Sequence, residues 1–118
     1  MSIVNIKLRG NRSTDIRTVT EALKAEITCE TACENWRTFD ELKICLLSFE
    51  RYYWRNESTA SLTIMLTEHD NIQTADVIAS AGGRGIFNIS RGANSDFAQD
   101  ASDILERHGF KKEQEKKY

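Results

Sequence analysis

Proline is absent from this sequence of 118 residues, in which about six prolines would be expected at the usual frequency. Its absence excludes proline-rich recognition segments and removes proline isomerisation as a slow folding step. An excess of charge of one sign is also missing, because 16 Lys and Arg residues face 18 Asp and Glu residues. The formal net charge of −2 creates no strong field that would attract nucleic acid, so we expect no nucleic-acid partner.

Long apolar runs are absent as well. The longest, from Ile44 to Leu47, is far shorter than the roughly 20 residues that a membrane helix needs. The stretch from Met1 to Lys7 lacks the basic start and the apolar core of a secretory signal. We therefore predict a cytoplasmic protein with no membrane partner. With 40% hydrophobic and 29% charged residues, the composition is that of one ordinary globular domain.

Cysteine and histidine, the usual zinc ligands, are scarce. The sequence has three cysteines, Cys29, Cys33 and Cys45. An odd number cannot pair completely, which argues against a disulfide scaffold. A zinc site needs four ligands, and the other candidates, His69 and His108, stand at irregular spacing. The favoured interpretation is three free thiols, with no metal and no cofactor.

The first part of the chain predicts a strand followed by a helix. Ile3 to Leu8 has the period-two pattern of a strand. Ser13 is a suitable N-cap for a helix with Asp15 in its first turn, and this helix should end near Thr28. Its apolar stripe consists of Ile16, Val19, Leu23 and Ile27.

The stretch from Trp36 to Tyr53 allows two interpretations. Thr38 to Glu41 matches a helix capping box, and the apolar residues after it could line one face of a helix. Ile44 to Trp54, however, is rich in β-branched and aromatic residues, which favour a strand. We predict one short helical turn at Thr38 to Leu42, followed by a strand from Ile44 to about Arg55.

Three further strands are predicted in the second half of the chain. Ala60 to Thr67 alternates apolar and polar residues, and Thr74 to Ala81 is the next strand. Gly82 to Gly85 is predicted as the turn to a last strand, Ile86 to Ser90. Short connections require antiparallel neighbours.

The sequence ends with a second helix and a charged tail. Asn94 or Ser95 caps this helix, and Gly109 lies where a left-handed residue ends it, with Phe110 available for an apolar contact. We predict an α+β fold over residues 1–110, in the order β-α-β-β-β-β-α. Both helices cover one face of a five-stranded, mainly antiparallel sheet in two layers. The tail, residues 111–118, is expected to be disordered.

The glycine cluster has a second interpretation as a ligand site, formed by Gly82, Gly83, Arg84 and Gly85. Glycines let backbone N–H groups approach a phosphate, and Arg84 would supply positive charge. Phosphate-binding loops run from a strand into a helix, however, whereas a strand is predicted from Ile86. The hairpin turn is therefore the favoured interpretation.

The long predicted strand has apolar or aromatic residues on both of its sides. Counting every second residue places Cys45, Leu47, Phe49 and Tyr53 on one side, and Ile44, Leu46, Glu50, Tyr52 and Trp54 on the other. Two helices cover only one face, so the other needs a cover. A second copy of the chain is the favoured cover, because most oligomers are two-fold homodimers. A different protein, a small apolar ligand, or strong twist together with the Trp36 loop are the alternatives.

Three segments carry a resemblance to a known family. Phe49-Glu50-Arg51-Tyr52-Tyr53, Ser61-Leu62-Thr63 and Gly82-Gly83-Arg84-Gly85-Ile86-Phe87-Asn88 resemble segments of small uncharacterised bacterial proteins that are grouped as a family of unknown function. The resemblance covers roughly Ile44 to the last helix. It implies a bacterial, cytoplasmic origin and no catalytic residues.

The sequence favours a non-enzymatic homodimeric interaction module over an enzyme. Its interface would lie on the free sheet face and include Leu46, Glu50, Tyr52 and Trp54. The alternative function is that of a small-ligand-binding protein, with a pocket between helices and sheet near Gly82 to Gly85.

Overall fold

The computed structural model describes residues 2–11, 14–54, 57–83 and 87–118. Eight elements follow one another along the chain. They are β1 (Ser2–Gly10), α1 (Ile16–Glu26), β2 (Thr31–Phe39), β3 (Leu42–Tyr53), β4 (Ser58–His69), β5 (Ile72–Gly83), α2 (Phe87–Arg107) and β6 (Lys111–Lys117).

All six strands belong to one antiparallel sheet in the order β2-β3-β4-β5-β1-β6. Two-residue turns join β2 to β3 and β4 to β5, and each begins with an aspartate at positive φ, 51° at Asp40 and 55° at Asp70. Aspartate tolerates this conformation better than most residues, which suits it to tight hairpins. The α+β class is confirmed, but the sheet has six strands rather than five.

The core lies between the helices and one face of the sheet. Alternate residues of β1, β3, β4 and β5 are buried there, including Ile6, Leu47, Leu62, Ile64 and Val77. Helix α1 begins after Asp15, whose side chain accepts a hydrogen bond from the N–H of Arg17, so the N-cap is Asp15 rather than Ser13. The helical stripe is confirmed. It contributes Ile16, Val19, Leu23 and Ile27, while α2 adds Phe97, Ala101 and Leu105.

The stretch before the long strand was assigned wrongly. Residues 31–39 form β2, which was not predicted, and the expected helical turn at Thr38 to Leu42 is a hairpin in which Phe39 pairs with Leu42. Strand β2 lies at the edge of the sheet, and its side chains are exposed or only half-buried. An edge strand of this kind needs little apolar alternation, so the sequence gives no strand signal there.

The strand expected at Ile86 to Ser90 is also wrong, because α2 already begins at Phe87. Asn94 and Ser95 therefore lie inside the helix rather than at its start. Helix α2 contacts β1, β4 and β5. Ile86 itself lies outside the described residues.

The charged tail differs from the expectation of disorder. Residues 111–117 form β6, which pairs with β1 at the second edge of the sheet. Backbone hydrogen bonds hold such a strand without any buried side chain, so its composition does not reveal it. The end of α2 is as predicted. Gly109 has φ 92°, its N–H donates to Glu106 O, the N–H of Phe110 donates to Leu105 O, and the Phe110 ring is buried.

No helix among the described residues is both long and apolar enough to cross a membrane.

Candidate functional site: the outer face of the sheet

The face of the sheet turned away from the helices is here called the outer face. It carries the side chains that alternate with the core residues, as the strand patterns predict. On β3, Cys45 and Leu47 are fully buried against the helices, whereas Leu46 between them is 43% exposed. The assignment of the two sides of the long strand is therefore confirmed.

An apolar stripe crosses the outer face diagonally. Leu46 on β3 lies directly opposite Met65 on β4, and both are about two-fifths exposed, at 43% and 39%. Ile78 on β5 pairs with Thr63, which is the next residue to Met65 on the same face of β4. Ile78 is therefore the diagonal neighbour of Met65. The stripe runs from the β2 edge to β5 and consists of Phe39, Leu42, Ile44, Leu46, Met65 and Ile78.

Hydroxyl side chains surround this stripe. Ser61 on β4 and Ser80 on β5 form a hydrogen bond of 2.8 Å across the sheet, and Thr67 and Thr74 form another farther along the same two strands. These hydroxyl groups border the stripe on β4 and β5, and Ile72 at the start of β5, 43% exposed, is an apolar side chain of the same face outside it. A bounded apolar patch with a polar rim is typical of an interaction surface.

A shallow groove of about 380 Å³ lies along the β2 side of the stripe. Its lining combines apolar and polar side chains, namely Asn35, Trp36, Arg37, Ile44, Leu46 and Met65. Arg37 pairs with Ile44 across β2 and β3 and brings a positive charge beside the stripe.

The four predicted interface residues separate into two groups. Leu46 lies within the stripe and Glu50 is exposed on the same face. Tyr52 lies roughly 20 Å from Leu46 along β3, at about 3.3 Å per residue. Its ring packs edge-to-face against that of Trp54, with centroids 5.0 Å apart, and Trp54 is 83% exposed beyond the strand.

On the inner side of the same strand, Arg51 joins three elements, which the sequence did not reveal. Its Nε donates to the Thr28 carbonyl at 2.6 Å, and its two Nη atoms donate to Tyr53 Oη at 3.1 Å and to Asp100 Oδ2 at 3.2 Å. Burial lowers the pKa of Arg51, but its hydrogen bonds and electrostatic interactions with Tyr53 and Asp100 outweigh this effect, and the pKa is raised. The Phe49–Tyr53 segment therefore has a structural role beside any role in binding.

A second charged cluster attaches the edge strand β2 to helix α1. Lys24 Nζ lies 2.7 Å from Glu34 Oε1, and the Trp36 indole N–H donates to the other carboxylate oxygen. The Arg17 guanidinium lies 4.3 Å from the centroid of the Trp36 ring. The hydrogen bond from Lys24 lowers the pKa of Glu34, followed by that from Trp36. Glu34 is therefore held as a carboxylate and neutralised within the chain.

The glycine cluster does not form the predicted hairpin turn. Gly82 and Gly83 are the last residues of β5 and pair with Thr59 and Ser58 of β4. Arg84 and Gly85 lie outside the described residues. Because α2 begins at Phe87, the cluster leads from a strand into a helix, which is the order found in phosphate-binding loops.

At the opposite end of the sheet, the two hairpin turns border an acidic groove of about 420 Å³. Glu68 is buried there, 3.9 Å from Lys43 Nζ, and accepts a hydrogen bond of 2.9 Å from the amide of Gln73. The groove is lined by Asp40, Glu41, Lys43, Glu68 and Asp70. In the part of the chain that the structure describes, no three His, Cys, Asp or Glu side chains are placed to hold a metal ion.

The three cysteines are free thiols in different surroundings. Cys33 is exposed on β2 and Cys29 is half-buried. Cys45 is buried in the core, where Thr20 Oγ1 donates to its sulfur at 3.7 Å, and burial raises the pKa of Cys45.

Comparison with known proteins places this fold in a family. No curated protein matches the chain. One family model, described as a family of unknown function (DUF6054), matches residues 1–109. The match confirms the resemblance to a family of unknown function and extends it to β1 and α1. Because it spans nearly the whole chain, the protein belongs to the DUF6054 family.

Proposed function

We propose that the protein is a non-enzymatic interaction module that forms a homodimer through the apolar stripe on its outer face. The apolar stripe itself is the observation that supports this proposal. It holds large apolar side chains that are about two-fifths exposed or more, such as Leu46, Ile78 and Phe39, on a face that neither of the two described helices covers. Burial of such side chains is the main favourable term in protein association.

A two-fold axis suits this surface. An axis parallel to the strands, passing between β3 and β4, places the Leu46 of one copy over the Met65 of the other, and the reverse. It also places β2 of one copy over β5 of the other. Asn35 on β2 and Asp76 on β5 belong to the same row of paired residues, so the axis places Asn35 of one copy over Asp76 of the other. Arg37 is the next residue on the same face of β2 and therefore lies near Asp76 of the second copy. Apolar contact at the centre and opposite charges at the rim make the surface complementary to itself.

Light scattering on the purified protein tests this proposal, with Leu46→Glu as the variant. A charge at the centre of the stripe cannot be buried without a partner, so we expect the variant to have half the mass of the wild-type particle. Thr18→Glu adds the same charge at an exposed position on α1 and should leave the mass unchanged. Circular dichroism confirms that both variants are folded.

The proposal fails if the wild-type protein has the 13.5 kDa mass of one chain at every concentration up to the millimolar range. It also fails if Leu46→Glu leaves the mass of the wild-type particle unchanged.

A second candidate function is the binding of a phosphate-containing small molecule at the end of β5. One observation favours it, namely that Gly82 and Gly83 end a strand and that only three residues separate this strand from α2. Inorganic phosphate should then raise the melting temperature of the wild-type protein, since a ligand stabilises the state that binds it. Arg84→Ala should abolish this increase and leave the melting temperature without phosphate unchanged. An equal response of both proteins contradicts the proposal.

A further inference from the structure

The two edges of the sheet differ in how they are protected. Strand β6 has six charged residues among its seven, with the sequence KKEQEKK. Its register with β1 shifts between Lys7 and Leu8, which marks a bulge. Charged side chains, lysine above all, and bulges are the usual devices that prevent an exposed edge from pairing with another strand.

Strand β2 has no bulge in its pairing and no lysine. Its nine residues pair with β3 in one continuous register, from Thr31 opposite Glu50 to Phe39 opposite Leu42. Its two charged residues are Glu34 and Arg37, and Glu34 is neutralised by Lys24 of α1. Among the described residues, no strand lies on the other side of β2. Every second residue of such an edge directs its N–H and C=O groups outward, where another strand can bind them.

We propose that β2 pairs with β2 of a second copy, antiparallel, about a two-fold axis perpendicular to the sheet. This goes beyond the proposed contact through the outer face, because it uses a different surface and backbone hydrogen bonds. A strand can pair with itself in this way whatever its sequence, since the two-fold axis places identical donors and acceptors opposite each other.

The edges that remain after pairing favour a second copy of the chain, rather than a strand of another protein, as the partner of β2. Pairing of β2 with β2 gives one continuous sheet of twelve strands. Both remaining edges of that sheet are β6, the charged and bulged strand. Association through the sheet edges therefore stops at two copies, which accounts for the protection of one edge and not the other.

The side chains of β2 permit this pairing. With the axis at Asn35, the middle residue of the strand, Ala32 of one copy lies opposite Thr38 of the other. Both are small and exposed in the single chain. Glu34 lies opposite Trp36 of the second copy, and its charge is already balanced by Lys24. No unbalanced like charges face each other at this junction.

The test uses the double variant Ala32→Lys/Thr38→Lys, which places lysines opposite each other across the junction. Like charges opposite each other destabilise a strand pair. We expect light scattering to give half the mass of the wild-type particle. The control, Thr18→Lys/Gln114→Lys, adds the same charge on α1 and on the β6 edge and should keep the wild-type mass.

Amide hydrogen exchange locates the contact on β2. In the wild-type protein we expect the outward amides of β2 to be protected, and in the double variant to exchange about tenfold faster or more. Exchange in the central strand β4 should be the same in both proteins, which shows that the fold is intact.

Each outcome decides between the two proposed surfaces. If Ala32→Lys/Thr38→Lys keeps the wild-type mass while Leu46→Glu halves it, the strand pairing is wrong and the contact through the outer face stands. If Ala32→Lys/Thr38→Lys halves the mass while Leu46→Glu leaves it unchanged, the contact through the outer face is wrong and the strand pairing stands. If the outward amides of β2 exchange freely at all protein concentrations, and become protected only when an extended peptide is added, the occupant is a foreign strand and pairing between copies is wrong.

Discussion

The Arg51 guanidinium on β3 lies 4.2 Å from the centroid of the Phe97 ring on α2. The same group donates to Thr28 O before β2 and to Asp100 of α2. One side chain near the end of the strand beside the edge thus contacts both the loop before the edge strand and the longer helix. The Arg51 side chain is 14% exposed, whereas that of its partner Asp100 is 50% exposed.

Replacement of Arg51 by Lys keeps the charge but loses the planar group that makes these contacts together. We expect the free energy of unfolding to fall by about 2 kcal/mol, the usual range for charged hydrogen bonds and a cation–π contact. Urea unfolding followed by circular dichroism measures it. Arg9→Lys, at an exposed position on β1, should change it by less than about 0.5 kcal/mol. Equal losses in the two variants would contradict the role given to Arg51.

Gly109 ends α2 at φ 92°, where a side chain is strained. We expect Gly109→Ala to lower the free energy of unfolding by about 1–2 kcal/mol, because Cβ then approaches the following carbonyl oxygen. Gly109→Asn should cost less, since asparagine tolerates this region. Thermal unfolding of the three proteins gives the order. If Gly109→Asn lowered the stability as much as Gly109→Ala does, backbone strain at positive φ would not be the cause of the loss.

The Glu34–Lys24 pair makes stability depend on pH. Because the pKa of Glu34 is lowered in the folded protein, its stabilising effect is present above the ordinary carboxylate pKa of 4.5 and is lost as the pH falls through the lowered value. We expect the stability difference between wild type and Glu34→Gln to shrink as the pH falls below about 4.5.

Urea unfolding at each pH measures this difference. Glu113→Gln, at an exposed position on β6, is the control for the loss of any surface carboxylate. A difference for Glu34→Gln that does not change with pH would exclude the ion pair as its source.

The three thiols should react at different rates with a thiol-modifying reagent. The thiolate is the reactive form, so exposure and a low pKa both accelerate the reaction. We expect the exposed Cys33 to react first and Cys45, which is buried and has a raised pKa, to react after unfolding. Mass spectrometry of the modified peptides follows each site. Cys33→Ser should remove the fastest phase, and its persistence would mean that another thiol is the accessible one.

Much of the fold follows from local patterns in the sequence. The alternation of Ala60, Leu62, Ile64 and Leu66 predicted β4 and its buried face, and all four side chains are fully buried. The spacing of Ile16, Val19 and Leu23 predicted α1. Each of these signals is local, because residues two, three or four apart in the chain share a face of the strand or helix.

Other elements carry no such signal. Thr31–Phe39 and Lys111–Lys117 are edge strands whose side chains bury little, so the pairing of their backbones cannot be seen in their composition. The start of α2 at Phe87 overturned the expected hairpin at Gly82 to Gly85, because a helix rather than a strand follows the glycines. Arg51 acquired its role because Thr28 and Asp100, 23 and 49 residues away in the chain, come within hydrogen-bond distance.

The sequence by itself determined the class of the fold, the buried face of each central strand and the end of the last helix, since periodicity and a glycine at positive φ are local properties. The tertiary structure decided the order of the strands, the position of the two edges and the course of the apolar stripe across the outer face. These depend on which distant segments pair, and strand register between such segments is set by packing of the whole sheet rather than by any single stretch of the chain.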